Sequence, residues 1–396
     1  MSNLARTFTE HWQSFNTINS LPQMSLNDFH KISRQNAEQY TANYHGLNLA
    51  TALQPIFSID HQRIVGYEAL IRASDHRNEP IPPITLLSCP KKEVDNIYLD
   101  RLCRYLHVAN FQKLSNDNNW LFINVSAEAS VKGRSYGLFF AQLLAYFNIE
   151  PSNVVVEIIE DPATDNEKLM EAANYYKNIG CMLAIDDFGA GHSNFERIWN
   201  LKPDIVKLDR SLLTRSLTSS HTQSLISSLV DLLHEAGCLV VIEGVEDEQQ
   251  ALISINSGAD FIQGYYFARP EIHFENIVDK SYLFTGLTEK FITQQKIVAH
   301  KQSKVSEQYC QKFRECVLNL QQGLNFESAC QPLAQLDKSI RCYITDELGD
   351  QLESTIIFKE DAHNKKKFKQ LKISENANWF RKHYIKNAIK YHSRIY

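Results

Sequence analysis

Between residues 54 and 267 the chain alternates short apolar runs with segments of helical spacing. Two runs, 54–59 and 64–71, flank a short polar turn at 60–63 and predict an antiparallel hairpin. A helical stretch follows over 86–114, with Asp100, Arg101 and Arg104 on its polar face. Strands and helices then take turns. LFINV (121–125) and VVVEII (154–159) read as strands with a helical segment between them, and a helix over 166–179 stops at Gly180. The run 182–188 precedes another helical piece and IVKL (205–208). A helix over 222–236 stops at Gly237 before LVVIEGV (239–245), and one over 248–257 stops at Gly258 before FIQGYYF (261–267). Glycine after a last helical turn takes the left-handed cap at little steric cost.

Eight short strands, the last six separated by helices and several of them unbroken Val/Ile runs, imply strands buried on both faces. The predicted class is α/β: a (β/α)8 TIM-like barrel with an antiparallel first strand. A doubly wound open sheet is the alternative, but no glycine-rich phosphate loop follows the first strand. Residues 1–48 are polar, with Phe8, Trp12, Phe15 and Phe29 at loosely helical spacing, and predict a helical N-terminal extension. The barrel is expected over 49–278 and a helical connector over 279–335. A smaller α+β domain is expected over 336–396, where 342–358 reads as strand, turn at 346–349 and strand.

Polar residues interrupt the apolar runs near their C-terminal ends: Glu68, Asn124, Glu157, Asp186 with Asp187, Lys207, Glu243 and Gln263. That is the face on which barrel active sites are built. A lone acid at a strand end is ordinarily a solvated structural residue. Acids recurring from strand to strand are untenable without a counter-charge. Hard oxygen donors suit Mg²⁺ or Mn²⁺, and the scarcity of nearby histidine (His192 alone) counts against zinc.

The formal net charge of -5 over 396 residues gives no general polyanion-binding character. Eight cysteines stand singly, without metal-ligand spacing, and read as reduced thiols of a cytoplasmic protein. No apolar run approaches the length of a membrane span. The basic stretches 365–372 and 378–396 fit a solvated loop and a packed helix better than a nucleic-acid surface.

The ordered set QPI (54–56), YEALIR (67–72), INVS (123–126), EIIE (157–160), DDFGAG (186–191), KLD (207–209), EGVE (243–246) and QGYYFARP (263–270) carries a resemblance. Residues 51–275 resemble the EAL domain of cyclic di-GMP phosphodiesterases, whose namesake triplet stands here as Glu68-Ala69-Leu70. The C-terminal part weakly resembles PAS/Cache-like sensor domains over 342–358 and 379–385. It stops at Tyr396, short of the remaining strands of such a sheet, which reads as truncation within that domain.

The resemblance implies a metal-dependent enzyme that opens cyclic di-GMP to linear pGpG with two Mg²⁺ or Mn²⁺ ions, regulated by the C-terminal domain. Glu68, Asn124, Glu157 and Asp186 correspond to ligands of one metal, and Asp186, Asp187 and Glu243 to ligands of the other. Lys207, Glu243 and Asp187 take catalytic roles; Gln54, Leu70, Arg72, Asp209 and Gln263 take substrate-binding ones. Glu160 resembles the family's anchor for the loop after Asp187, which couples the site to a homodimer. The chain departs from the family pattern at Ala190, His192 and Asn194, none of them a ligand position. The alternatives are a non-hydrolytic cyclic di-GMP receptor or scaffold, and a hydrolase of another phosphodiester.

Overall fold

The computed structural model describes residues 24–35, 39–114, 119–132, 139–159, 166–190, 195–359 and 377–390. Glu160, His192 and Asn194, along with 365–372, lie outside the described residues. The chain divides into two units, Met1–Phe291 and Ile292–Tyr396.

In the first unit, helix α1 (Leu26–Ile32) leads into strands β1 (Ser33–Gln35), β2 (Tyr40–Tyr44), β3 (Leu47–Ser58), β4 (Arg63–Ser74) and β5 (Pro80–Ile81). Helices α2 (Pro83–Leu87) and α3 (Glu93–Leu114) follow, then β6 (Trp120–Ser126), α4 (Ala127–Lys132) and α5 (Phe139–Tyr146). Next come β7 (Val154–Ile159), α6 (Asn166–Ile179), β8 (Met182–Phe188), α7 (Phe195–Leu201) and β9 (Ile205–Leu208). The unit continues through α8 (Arg210–Ser216), α9 (Ser220–Glu235), β10 (Leu239–Ile242), α10 (Glu248–Ser257) and β11 (Phe261–Ile262).

Strands β3-β11-β10-β9-β8-β7-β6-β4 are hydrogen-bonded in that order, and β3 pairs back onto β4, which closes an eight-stranded barrel. β3 runs antiparallel to both neighbours, at Phe261↔Ser58 and over Asn48↔Ser74 to Ser58↔Arg63, while the pairs from β4 to β11 by way of β6 are parallel. The antiparallel first strand is therefore present.

Three expectations need correction. The N-terminal extension is not simply helical: in its described part, β1 and β2 form antiparallel strands and β2 adds to the end of β3 through Ala42↔Leu49. Ala42 and Tyr44 are buried while Asn43 between them is exposed, a period of two that the polar composition hides. The helix expected over 86–114 is two, because Pro90 lacks an N–H and disfavours helical geometry before it. The final strand is also shorter than expected, since the chain turns after Ile262 with Ala268 N–H donating to Gly264 O (3.0 Å).

Alternation along the strands sorts side chains into two cores. Ile123, Val156, Ile185, Val206, Ile242 and Ile262 point outward into the large core between strands and helices. Their immediate predecessors Phe122, Val155, Ala184, Ile205, Val241 and Phe261 point inward, and with Ile56 they fill the barrel's lower interior.

The second unit holds the later part of α11 (Leu283–Gln321), short helices α12 (Phe326–Ala329) and α13 (Gln331–Ala334), strands β12 (Arg341–Cys342) and β13 (Ile356–Ile357), and α14 (His383–Lys390). β12 and β13 pair antiparallel, and the turn between them closes with Gly349 N–H donating to Asp346 O (3.1 Å). Its small core is Cys316, Cys330 and Leu333, with Phe313, Phe326, Leu336, Cys342, Ile356 and Phe358 packed around them.

Candidate active site

The same period of two that fills the barrel floor builds a polar layer above it. Two residues past each inward apolar residue stand Asn124, Glu157, Asp186, Lys207, Glu243 and Gln263. On β4, Glu68 follows Gly66, and on the reversed β3, Gln54 lies two residues before Ile56. Each of the eight strands thus sends one polar residue to a single mouth, the face formed by the C-terminal ends of the parallel strands.

Lys207 is the centre of that layer and is fully buried (0% exposed). Its Nζ lies 2.6 Å from Glu243 Oε1, 2.7 Å from Glu157 Oε1, 3.3 Å from Asp186 Oδ1 and 3.5 Å from Glu68 Oε2. Gln263 Nε2 donates to Glu68 Oε2 (2.8 Å) and Asn124 Nδ2 to Glu68 Oε1 (3.3 Å), so that carboxylate is held from both sides. Asp186, Asp187 and Glu243 bring carboxylate oxygens within 4.8 Å of one another. Asp187 joins them by taking a left-handed backbone (φ 52°), a conformation that Asp tolerates better than most residues.

One ammonium does not neutralise this many acids. Burial pushes the Glu157 carboxyl well above the usual carboxylate range against the opposing pull of Lys207, and Glu68, Asp186 and Glu243 push it further. Glu243 is raised to about 8, mainly by burial, with Lys207 opposing and Asp186 and Glu68 adding to the rise. Asp187 is raised by burial and by Asp186. Burial alone would lower the Lys207 ammonium, but Asp186, Glu157, Glu243 and Glu68 outweigh it and hold its pKa well above normal. Both oxygens of Glu157 are buried and accept no well-aligned hydrogen bond; the approach of Lys207 is an ion pair without hydrogen-bond geometry. Orphaned acceptor oxygens and surplus negative charge fit a hard divalent cation, which supplies charge and coordination together.

Above the layer opens a cleft of about 280 Å³ lined by Gln54, Glu68, Leu70, Asp186, Glu243 and Gln263 together with Arg210, Gly244, Glu246, Gly264 and Tyr265. The last five were not expected from the sequence. Arg210 opens α8 and the other four sit on loops, all just past strand ends that carry the polar layer, the only positional signal that could have found them. Arg210 pairs with Glu246 through Nη1–Oε1 (2.8 Å) and Nη2–Oε2 (3.1 Å), and Arg269 stacks over Tyr265 (4.3 Å to the ring centroid). Gly264 is required where it stands: a Cβ there would lie 2.1 Å from Val245 O. That close approach lets Val245 N–H donate to Gln263 O (3.1 Å) and Tyr266 N–H to Val245 O (2.9 Å), which locks the Glu243 loop to the Gln263 loop.

Lys207 and Glu157 lie beneath the cleft. Arg72 follows Leu70 on the same face of β4 and donates Nη1 to Ile71 O (3.0 Å); its pKa is lowered by burial. Asp209 is the N-cap of α8 and accepts from Ser211 N–H (3.0 Å), a structural task beyond the one expected of it.

Comparison with known proteins agrees with this geometry. The EAL domain family matches residues 37–270. The EAL-domain containing protein YkuI of Bacillus subtilis is 31% identical over 323 residues, 78% of this chain and 77% of YkuI. Its crystal structure in complex with substrate c-di-GMP and calcium matches 87% of this chain and 86% of that chain at TM-score 0.72 and 26% identity. The cyclic di-GMP phosphodiesterase RocR of Pseudomonas aeruginosa is 32% identical over 231 residues, 56% of this chain and 57% of RocR. The manganese/cy-diGMP complex of Klebsiella pneumoniae BlrP1 matches 56% of each chain at TM-score 0.50 and 25% identity. This chain belongs to the EAL-domain family.

Proposed function

We propose that the chain is a divalent-metal-dependent phosphodiesterase that hydrolyses cyclic di-GMP to linear pGpG. The observation that carries this reading is the buried Lys207-centred acid layer, opening into a cleft at the barrel mouth, in a chain whose relatives include named cyclic di-GMP phosphodiesterases. Glu68, Asn124, Glu157 and Asp186 hold one cation; Asp186, Asp187 and Glu243 hold a second, as Mg²⁺ or Mn²⁺. Bound there, the cations supply Lewis-acid polarisation of the phosphodiester and a water of lowered pKa.

The protein's own groups do the rest. Lys207 holds the carboxylates in one array and keeps their repulsion from spreading them. Asn124 and Gln263 fix the rotation of Glu68. Glu243 reaches both the acid cluster and the open cleft, which suits it to accept a proton from the attacking water. Arg72 offers a planar fork to a substrate phosphate, and Gln54, Leu70, Asp209 and Gln263 make further substrate contacts.

The second unit regulates the barrel in the manner of a PAS/Cache-like sensor, and the chain works as a homodimer. All eight cysteines are free, which supports a reducing, cytoplasmic setting. Incubation of the purified chain with cyclic di-GMP and Mn²⁺, followed by anion-exchange chromatography, should yield linear pGpG. Recovery of intact cyclic dinucleotide from a chain that nevertheless binds it would establish a receptor instead. Cleavage of other phosphodiesters alone would overturn the assigned substrate.

A further inference from the structure

Outside the barrel, the second unit gathers three of the chain's eight thiols in one small core. Cys342, at the end of β12, donates its thiol to Cys330 Sγ across 3.8 Å. Cys330, between α12 and α13, also shares that core with Cys316 on α11. Cys316 and Cys330 are 3% and 2% exposed, whereas Cys342 is half-buried and can be approached from solvent. A disulfide needs its sulfurs about 2.05 Å apart, so closure asks for a shift of roughly 1.8 Å between a two-residue strand and a helix junction. Both flanking elements are short enough to yield that shift.

We propose that Cys330 and Cys342 are a reversible disulfide site in the second unit, entered through Cys342 by exchange with a small-molecule disulfide such as oxidised glutathione. The Cys342 thiolate attacks one sulfur of that disulfide and expels the first thiolate. The Cys330 thiolate then attacks the Cys342 sulfur of the mixed disulfide and expels the second. Two protein thiols and one small disulfide become one protein disulfide and two small thiols, so atoms and electrons balance. The bond ties β12 to the α12–α13 junction. Burial raises both thiols, Cys330 to about 12, so little thiolate is present at neutral pH. The pair therefore follows the standing thiol–disulfide poise slowly and is unsuited to catching a brief peroxide pulse.

The test equilibrates the purified full chain in buffers of graded oxidised-to-reduced glutathione, quenches with acid, alkylates and maps the cysteine peptides by mass spectrometry. The expected result is loss of both alkylatable thiols at Cys330 and Cys342 together, in a peptide pair linked 330–342. The linkage should disappear with dithiothreitol, while exposed Cys310 carries at most a glutathione adduct. Three results would each overturn the proposal: Cys330 and Cys342 still reduced where Cys310 is glutathionylated, a 316–330 link instead, or a link only between chains. A Cys342→Ser chain, with its entry thiol removed, should leave Cys330 alkylatable at every poise; oxidation of Cys330 at the same poise as before would contradict entry through Cys342.

Discussion

The barrel mouth and the second unit each gather oxygens around a lysine. Lys207 is enclosed by the carboxylates of Glu157, Glu243, Asp186 and Glu68, on strands paired on both sides within a closed barrel. Lys359 follows a two-residue strand, donates to Leu336 O (3.2 Å) and Asp337 O (3.0 Å), and faces the Asp337 carboxylate at 3.7 Å, with lysine and aspartate both exposed. Water screens the second cluster and makes it dispensable. At the first, Lys207 and Glu157 are closed off from water, so the charge at its base must be met from within or by a bound cation. A closed barrel can hold acids together against their repulsion; a pair of short strands cannot.

The largest expected effect breaks the mouth. Glu157→Gln keeps the shape but removes a charge, and the loss of several kcal/mol of metal-derived stabilisation should cut hydrolysis about 10³-fold. Turnover within tenfold of the parent would show that Glu157 is no ligand. Next is Lys207→Met. Without cation at pH 8 it should cost about 3–5 kcal/mol in denaturant unfolding, because the acids lose the buried counter-charge at their centre. Saturating Mn²⁺ should return part of that loss, and a variant as stable as the parent at pH 8 would dismiss the electrostatic account of the layer.

A pH series sharpens the same contrast. Glu243 is raised from an ordinary 4.5 to about 8 in the fold, so its contribution is full below about 4.5 and is lost as pH rises through about 8. The cation-free chain should therefore lose thermal stability across that window, and the increment in Tm from Mn²⁺ should grow with pH. Parallel profiles with and without Mn²⁺ would contradict this. The smallest effect belongs to the second unit: Lys359→Met should change unfolding free energy by about 0–1 kcal/mol, and a larger cost would mean its oxygens matter more than their exposure implies.

Much of the mouth was legible because its residues are anomalies. Glu157 inside VVVEII and Lys207 inside IVKL have no place in a doubly buried strand unless something unusual surrounds them. Strand alternation then dictates that they rise above Val155 and Ile205 on the inward face. Arg210 and Tyr265 were missed because a surface arginine opening a helix and an aromatic in an apolar run look ordinary; only loop geometry brings them to the cleft. Strands β1 and β2 escaped notice because their polar composition reads as an extension, while their conformation comes from pairing with the end of β3. The α/β class and the antiparallel first strand, in contrast, follow from run lengths and one short turn.

The central claim is that the layer around Lys207 is a divalent-cation site. Crystals grown or soaked in Mn²⁺, measured at the manganese absorption edge, address it directly. The account predicts two anomalous peaks about 3.5–4 Å apart, one among Glu68, Asn124, Glu157 and Asp186 and the other among Asp186, Asp187 and Glu243. Peaks confined to other surfaces, with the Lys207 layer empty at saturating Mn²⁺, would contradict it.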